Sequence, residues 1–195
     1  MWILVVVLIV LAGGIVLYNG LVRMRERVEA SWADIDVQLK RRHDLVPNLV
    51  ETVKGYATHE QTTLERVIQA RNAAVSAEGP AKQAEAENVL SGALRSLFAL
   101  SEAYPQLRAD TSFAQLQETL AHLEDQIQQA RRYYNAVVRD YNTRTQQVPT
   151  SLLATAFGFH QEDFFEIDDA EKAVPRVRFG TVPGEPPSTP PPPTN

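Results

Sequence analysis

The stretch FAQLQETLAHLEDQIQQARRYYNAVVRDYNTRTQQV, Phe113 to Val148, decides the fold. Along it Phe113, Leu116, Leu120, Leu123, Ile127, Ala130, Tyr134, Val137, Tyr141, Arg144 and Val148 follow at alternating steps of three and four over five heptads. This spacing winds one stripe along a long helix, and a stripe of that length needs a partner helix along all of it. Asp110, Thr111 and Ser112 stand before it as candidate N-caps, and Pro149 stops it. Beyond, TSLLATAFGF reads as a short amphipathic helix with Thr150 or Ser151 as cap.

The partner lies upstream. Val28, Trp32, Ile35, Leu39, Val46, Leu49 and Val53 recur at helical spacing and mark one buried stripe. The first helix is expected to end near Gly55 in a left-handed cap, and Thr58 with Gln61 has the spacing of a capping box for a second helix carrying Leu64, Val67 and Arg71. One continuous helix to Ala77 is the alternative. Glu78-Gly79-Pro80 ends it either way, and a third helix of about Ala81–Ala103 presents Leu90, Leu94, Leu97 and Leu100 or Ser101 before Pro105. Short connections favour antiparallel neighbours, so the expected fold is all-α: an N-terminal transmembrane helix followed by an up-and-down antiparallel four-helix bundle with long first and last helices.

The segment WILVVVLIVLAGGIVLY, Trp2 to Tyr18, carries no charge and is long enough to cross a bilayer. Its apolar run continues past the small residues, unlike a cleaved signal peptide. Trp2 and Tyr18 suit the two interfaces, and Arg23, Arg25 and Arg27 follow with no basic counterpart before Trp2. These features predict a single-pass cell-membrane protein with a short N-terminus outside and a cytoplasmic body. The arginines form a candidate lipid-facing basic cluster. The expected divisions are a transmembrane helix over 1–19, a bundle over 20–160, an extended tail over 161–179 pinned by Phe164, Phe165, Ile167, Val177 and Phe179, and a disordered proline-rich end over 180–195.

The 195 residues are 44% hydrophobic and 22% charged, with a net charge of −5 and no cysteine. That balance argues against nucleic acid as a partner, and the missing thiols exclude disulfides and thiolate chemistry. A dimetal centre in a helical bundle needs Glu-x-x-His pairs, but Lys40, Tyr56, Thr119 and Phe157 stand three before His43, His59, His122 and His160. HEQTT at His59 lacks a second histidine, phosphate-binding glycine loops are missing, and no serine stands in a nucleophile elbow. No catalytic residue, metal or cofactor is expected, and the protein reads as a non-enzyme.

Two polar sets stand out. DVQLKRRHDLVPNL places Asp36, Lys40 and Asp44 four apart, suited to a ladder of ion pairs. Arg41, Arg42, His43, Asp44 and Asn48 surround Pro47, which lacks a donor and crowds the carbonyl of His43, leaving that oxygen for another donor. In RRYYNAVVRDYN, Tyr134 and Tyr141, and Asn135 and Asn142, recur at seven residues. In an antiparallel bundle the level of Arg41–Asp44 is expected to meet that of Tyr134–Asn142 as one polar layer, which fixes register or, alternatively, binds a ligand.

The chain resembles the LemA family. The likeness is carried by YNGLVRMRERVEASWADIDVQLKRRHDLVPNLVETVKGYATHE from Tyr18, ARNAA from Ala70, EAYPQLRADTSFAQLQETLAHLEDQIQQARRYYNAVVRDYN from Glu102, VPTSLLATAFGF and the closing VRF. The resemblance implies an N-terminal membrane helix and a helical-bundle body without an established activity, and one branch of that family is associated with bacterial magnetosome membranes. The expected role is a bacterial membrane-anchored scaffold or interaction module with protein partners or copies of itself. The alternative is a ligand-binding or enzymatic module using the polar layer.

Overall fold

A computed structural model describes residues 1–166, and all regular structure among them is helical. The helices are α1 (Trp2–Lys54), α2 (Gln61–Ser76), α3 (Pro80–Ala103), the single turn α4 (Pro105–Arg108), α5 (Thr111–Gln146) and α6 (Thr150–Phe157). At 53 residues, α1 is about 80 Å long. It packs most extensively against α5, while α2 packs on α3, and α6 touches both α1 and α5. One 18-residue window of α1 is long and apolar enough to cross a membrane, and none of that window is buried by the rest of the chain. The expected tail positions Ile167, Val177 and Phe179, and the proline-rich 180–195, lie outside the described residues.

Local chemistry sets most boundaries. α1 and α2 are separate helices, joined by Gly55–Glu60. Gly55 closes α1 in a right-handed conformation, with φ −63°, rather than the expected left-handed cap. The amides of Tyr56 and Ala57 instead turn back onto the carbonyl of Val53. The expected Thr58–Gln61 box does not form either. The amide of Glu60 bonds to the carbonyl of Ala57 in a turn of its own, so α2 starts too late for Thr58 to cap it.

Asp110 does cap α5, accepting the amide of Phe113 on Oδ1 at 2.8 Å, while Oδ2 accepts the Tyr56 hydroxyl at 2.8 Å. The two donors, the amide foremost, hold its carboxyl below the ordinary value. Thr150 is not a cap: its hydroxyl donates to the carbonyls of Arg144 and Gln147 and so closes the end of α5. Gly158, at φ +72°, supplies the left-handed residue that ends α6.

The buried side chains fall into two apolar cores. One gathers Val46 to Val53 of α1, the inner faces of α2 and α3, and Phe113 and Leu120 of α5. The other gathers Leu21 to Leu39 of α1, Ile127 to Tyr141 of α5, Ala154, Phe159 and Phe165. The α5 stripe follows expectation through Val137 and Tyr141, but Arg144 and Val148 are exposed while Val138, Asn142 and Thr145 are buried. A straight helix drifts about 20° per heptad against a 3.5-residue repeat. Over five heptads the stripe therefore moves by about 100°, one residue position.

Asp110→Ala is expected to lower the melting temperature measurably, followed by circular dichroism, and Thr58→Ala to leave it in place. Equal effects would contradict this assignment of the caps.

Candidate functional site

Between the two cores lies a layer of buried charge. On α1, Arg42 and His43 occupy the stripe between Leu39 and Val46, and both are buried. On α3, the stripe of Leu90, Leu94 and Leu97 extends back through Glu87 and Gln83, both also buried. Glu87 has no exposed surface. Its Oε1 accepts from His43 Nε2 at 2.6 Å and from Gln83 Nε2 at 3.1 Å, and its Oε2 from Arg42 Nη1 at 3.2 Å. With Glu87 as acceptor, Nε2 of His43 carries the hydrogen.

The layer reaches every long helix of the body. Arg42 Nη1 also lies 3.2 Å from Glu124 Oε2 on α5, and Nη2 donates to Ser91 Oγ at 2.8 Å on α3. Gln83 Nε2 donates to the carbonyl of Ala74 on α2 at 3.0 Å. The Nε of Arg71, also on α2, donates to the carbonyl of His43 at 3.2 Å. This is the oxygen that Pro47 deprives of its helical donor, since an i→i−4 bond to it would come from residue 47. α1 runs on through Pro47 as a single helix.

The second polar set holds a different segment. Tyr134 donates its hydroxyl to the carbonyl of Asp163 at 2.9 Å. Asn135 both donates to the carbonyl of Phe165 and accepts its amide, at 3.1 and 3.0 Å, and Asn142 does the same with Glu162 at 2.9 Å each. The two asparagines imitate a neighbouring strand, and the chain beyond α6 is stitched to α5. Phe165, fully buried, packs edge-on against Trp32 at 5.4 Å between ring centroids, and Trp32 lies 5.4 Å from Tyr134. Burial, with the carboxylates of Glu162 and Asp163 nearby, pushes the Tyr134 hydroxyl well above its ordinary pKa. Burial likewise raises Tyr141, whose hydroxyl has no hydrogen-bond partner among the described residues.

The single layer expected from Arg41–Asp44 and Tyr134–Asn142 is therefore corrected to two separate sets. Trp32 faces Tyr134 while Arg42 faces Glu124, and ten residues of helix separate the two levels by about 15 Å. Asp36, Lys40, Arg41, Asp44 and Asn48 lie on the exposed side of α1, and no ion pair closes the Asp36–Lys40–Asp44 ladder.

Arg23 and Arg27 are exposed, and Arg25 lies 5.5 Å from the Phe159 ring and 3.6 Å from Glu29, so the three arginines do not share one face of α1. A step of two residues turns a helix by about 200°, which sends Arg25 to the other side. Gln83, Glu87, Ser91, Glu124 and Arg71 were not expected in the layer. Gln83 and Glu87 had a readable signal, Glu87 lying three residues before Leu90 and Gln83 four before Glu87. Among the described residues, no group of three or more acidic or histidine side chains is placed to hold a metal ion.

The model of the LemA family matches residues 31–179, which include every residue of both polar sets. The chain belongs to the LemA family. It is similar to the magnetosome protein MamQ 2 of Paramagnetospirillum magneticum, 26% identical over 175 residues covering 76% of this chain and 64% of that protein. It is also similar to the magnetosome protein MamQ of Magnetospirillum gryphiswaldense, 25% identical over 174 residues with coverages of 76% and 64%. With the protein LemA of Metamycoplasma hominis the identity is 24% over 158 residues, covering 79% of this chain and 71% of that one. This LemA-family chain thus spans 64% of the length of the MamQ proteins it matches.

Two measurements test the geometry. Arg71→Ala is expected to cost about 1 kcal/mol with Pro47 present, the carbonyl it leaves being partly buried. In a Pro47→Ala background residue 47 supplies the donor itself, so the cost should at least halve, and denaturant melts of the four variants give the coupling. The raised Tyr134 is an acid whose folded pKa exceeds its unfolded one, so the stability it confers is complete below about pH 10 and lost as pH rises through the folded value. Tyr134→Phe should flatten that alkaline loss of melting temperature, and an unchanged slope would count against it.

Proposed function

We propose that this LemA-family chain is a single-pass bacterial membrane protein whose body is a non-catalytic scaffold for protein partners or further copies of itself. On this reading α1 crosses the bilayer near Trp2–Tyr18, the N-terminus lies outside and the body in the cytoplasm. The body is an up-and-down antiparallel bundle. Support for that order comes from the contacts: Tyr18 meets Phe157, Trp32 meets Tyr134 and Arg42 meets Glu124, so advancing along α1 means retreating along the later chain.

The observation that carries the proposal is the continuity of α1. Its exposed apolar stretch runs into the packed body as one helix, without a linker. The apolar stretch and both cores thus share one rod. The acceptor sites of Glu87 are occupied by three donors of the same chain, which suits an architectural layer. The MamQ relatives are named magnetosome proteins, and only their association with a bacterial structure of that kind bears on the membrane setting proposed here.

A second reading has one observation in its favour. A cavity of about 350 Å³ beside the layer, walled by Arg42, Ser91, Arg95, Gln117 and Glu124 together with Leu94, Phe98, Leu120 and Ala121, opens it to a small amphipathic ligand. One experiment separates the two readings: crosslinking in native membranes followed by affinity capture and blue-native electrophoresis, for the wild type and for Arg42→Met/His43→Leu/Glu87→Leu. The scaffold is expected to migrate in assemblies larger than one chain, with the same crosslinked set in the folded triple variant. A monomer without partners would overturn the scaffold, and loss of the assemblies only in the folded variant would favour the ligand site. A C-terminal reporter active only in the cytoplasm tests sidedness.

A further inference from the structure

Helix α6 presents an apolar edge that the body leaves uncovered. Leu152 is 71% exposed, Phe157 61%, and Val148 at the approach to the helix 81%. No charged residue occurs from Thr145 to Phe159. Soluble surfaces scatter such residues singly, whereas here they share one short uncharged element.

The position of that element is specific. The Tyr18 ring meets Phe157 edge-on at 4.9 Å and Phe159 at 5.7 Å, so α6 sits where α1 leaves its uncharged stretch. Between the two helices lies a cavity of about 450 Å³ walled by Val10, Leu11 and Ile15 on one side and Leu153 and Phe157 on the other. Val10 is eight residues before Tyr18, so the cavity reaches about 12 Å along the apolar stretch.

We propose that α6 is a second membrane contact: it lies in the boundary between headgroups and acyl chains, with Leu152 and Phe157 in hydrocarbon, and a lipid acyl chain occupies the cavity between α6 and α1. The proposal rests on the reading of α1 as a membrane span. Lipid is the occupant because one wall of the cavity is the span itself, so whatever surrounds Val10 and Leu11 also faces Leu153 and Phe157. The ordering of groups agrees. Aromatic rings gather at Tyr18, Phe157 and Phe159, and the first arginines follow, as at a membrane–water interface.

Because the chain has no cysteine, single cysteines can be labelled uniquely in the full-length protein. Leu152→Cys, Phe157→Cys, Leu8→Cys and Glu118→Cys would each carry a nitrobenzoxadiazole fluorophore, in phosphatidylcholine–phosphatidylglycerol vesicles containing lipids spin-labelled at shallow or deep positions. Labels at 152 and 157 are expected to be quenched at least twofold more by shallow spin-labelled lipid than by aqueous iodide. The label at 8 should respond to the deep lipid, and that at 118 to iodide alone. If 152 and 157 respond to iodide while 8 responds to lipid, the proposal fails and the span stands. Protection of 152 and 157 from both quenchers means that protein covers α6, and also overturns it. A label at 8 that responds to iodide removes the span and the proposal together. Should Phe157→Cys lose its helical circular dichroism, the exposed Leu152→Cys decides alone.

Discussion

A carboxylate without exposed surface must be met by donors, and at Glu87 this requirement fixes how the helices of the body stand against one another. Its three donors come from α1 and from its own helix. Arg42 passes the register on to Glu124 of α5, and Gln83 passes it to the Ala74 carbonyl of α2. The apolar contacts above and below could not do this. Leucines and valines repeat every turn, so a slide of one turn, about 5.4 Å, would bring similar side chains into contact again. The same slide would strip the donors from Glu87. Removing one partner of a buried pair costs about 3–5 kcal/mol, whereas replacing a whole ionic layer by apolar residues is often neutral or stabilising. The layer therefore contributes to the uniqueness of the packing more than to its depth.

Arg71 extends the same logic to the backbone. Pro47 on a long helix leaves the His43 carbonyl without its usual donor at the one level where α1 already carries buried charge. A guanidinium from α2 supplies the donor. The defect in one helix thus becomes a contact between two, and the side chain and the carbonyl of His43 are both tied to other helices.

How much of this could be read in the residues follows from what periodicity encodes. The spacing of Phe113 to Tyr141 and of Val28 to Val53 identifies each helix and its inner face, because a 3.6-residue period is a property of one chain segment. The donor-poor carbonyl of His43 was legible for the same reason: the clash and the missing amide at Pro47 are local. Axial offset between helices is not. Nothing in the spacing of α5 says whether Arg42 faces Glu124 or Tyr134, and the expected single layer failed there. The start of α2 shows a subtler limit, since Thr58 and Gln61 have the right separation, but the Ala57–Glu60 turn uses the backbone first. Glu87 was hidden by its type, for a charged residue on a stripe is ordinarily taken as the stripe's end.

The uninterrupted α1 joins these observations mechanically. From Leu21 to Leu39 it is enclosed by α5, α6 and the segment that Asn135 and Asn142 stitch to α5. From Arg42 to Val53 it is held by the charged layer and by α2 and α3. Bending α1 between these regions would separate the Trp32, Tyr134 and Phe165 rings on one side or draw Arg42 away from Glu87 on the other. Both regions resist, so a change in the tilt of the apolar end turns the body as a unit. A body carried on such a rod turns with the apolar end of α1, which is the property the proposed scaffold would use.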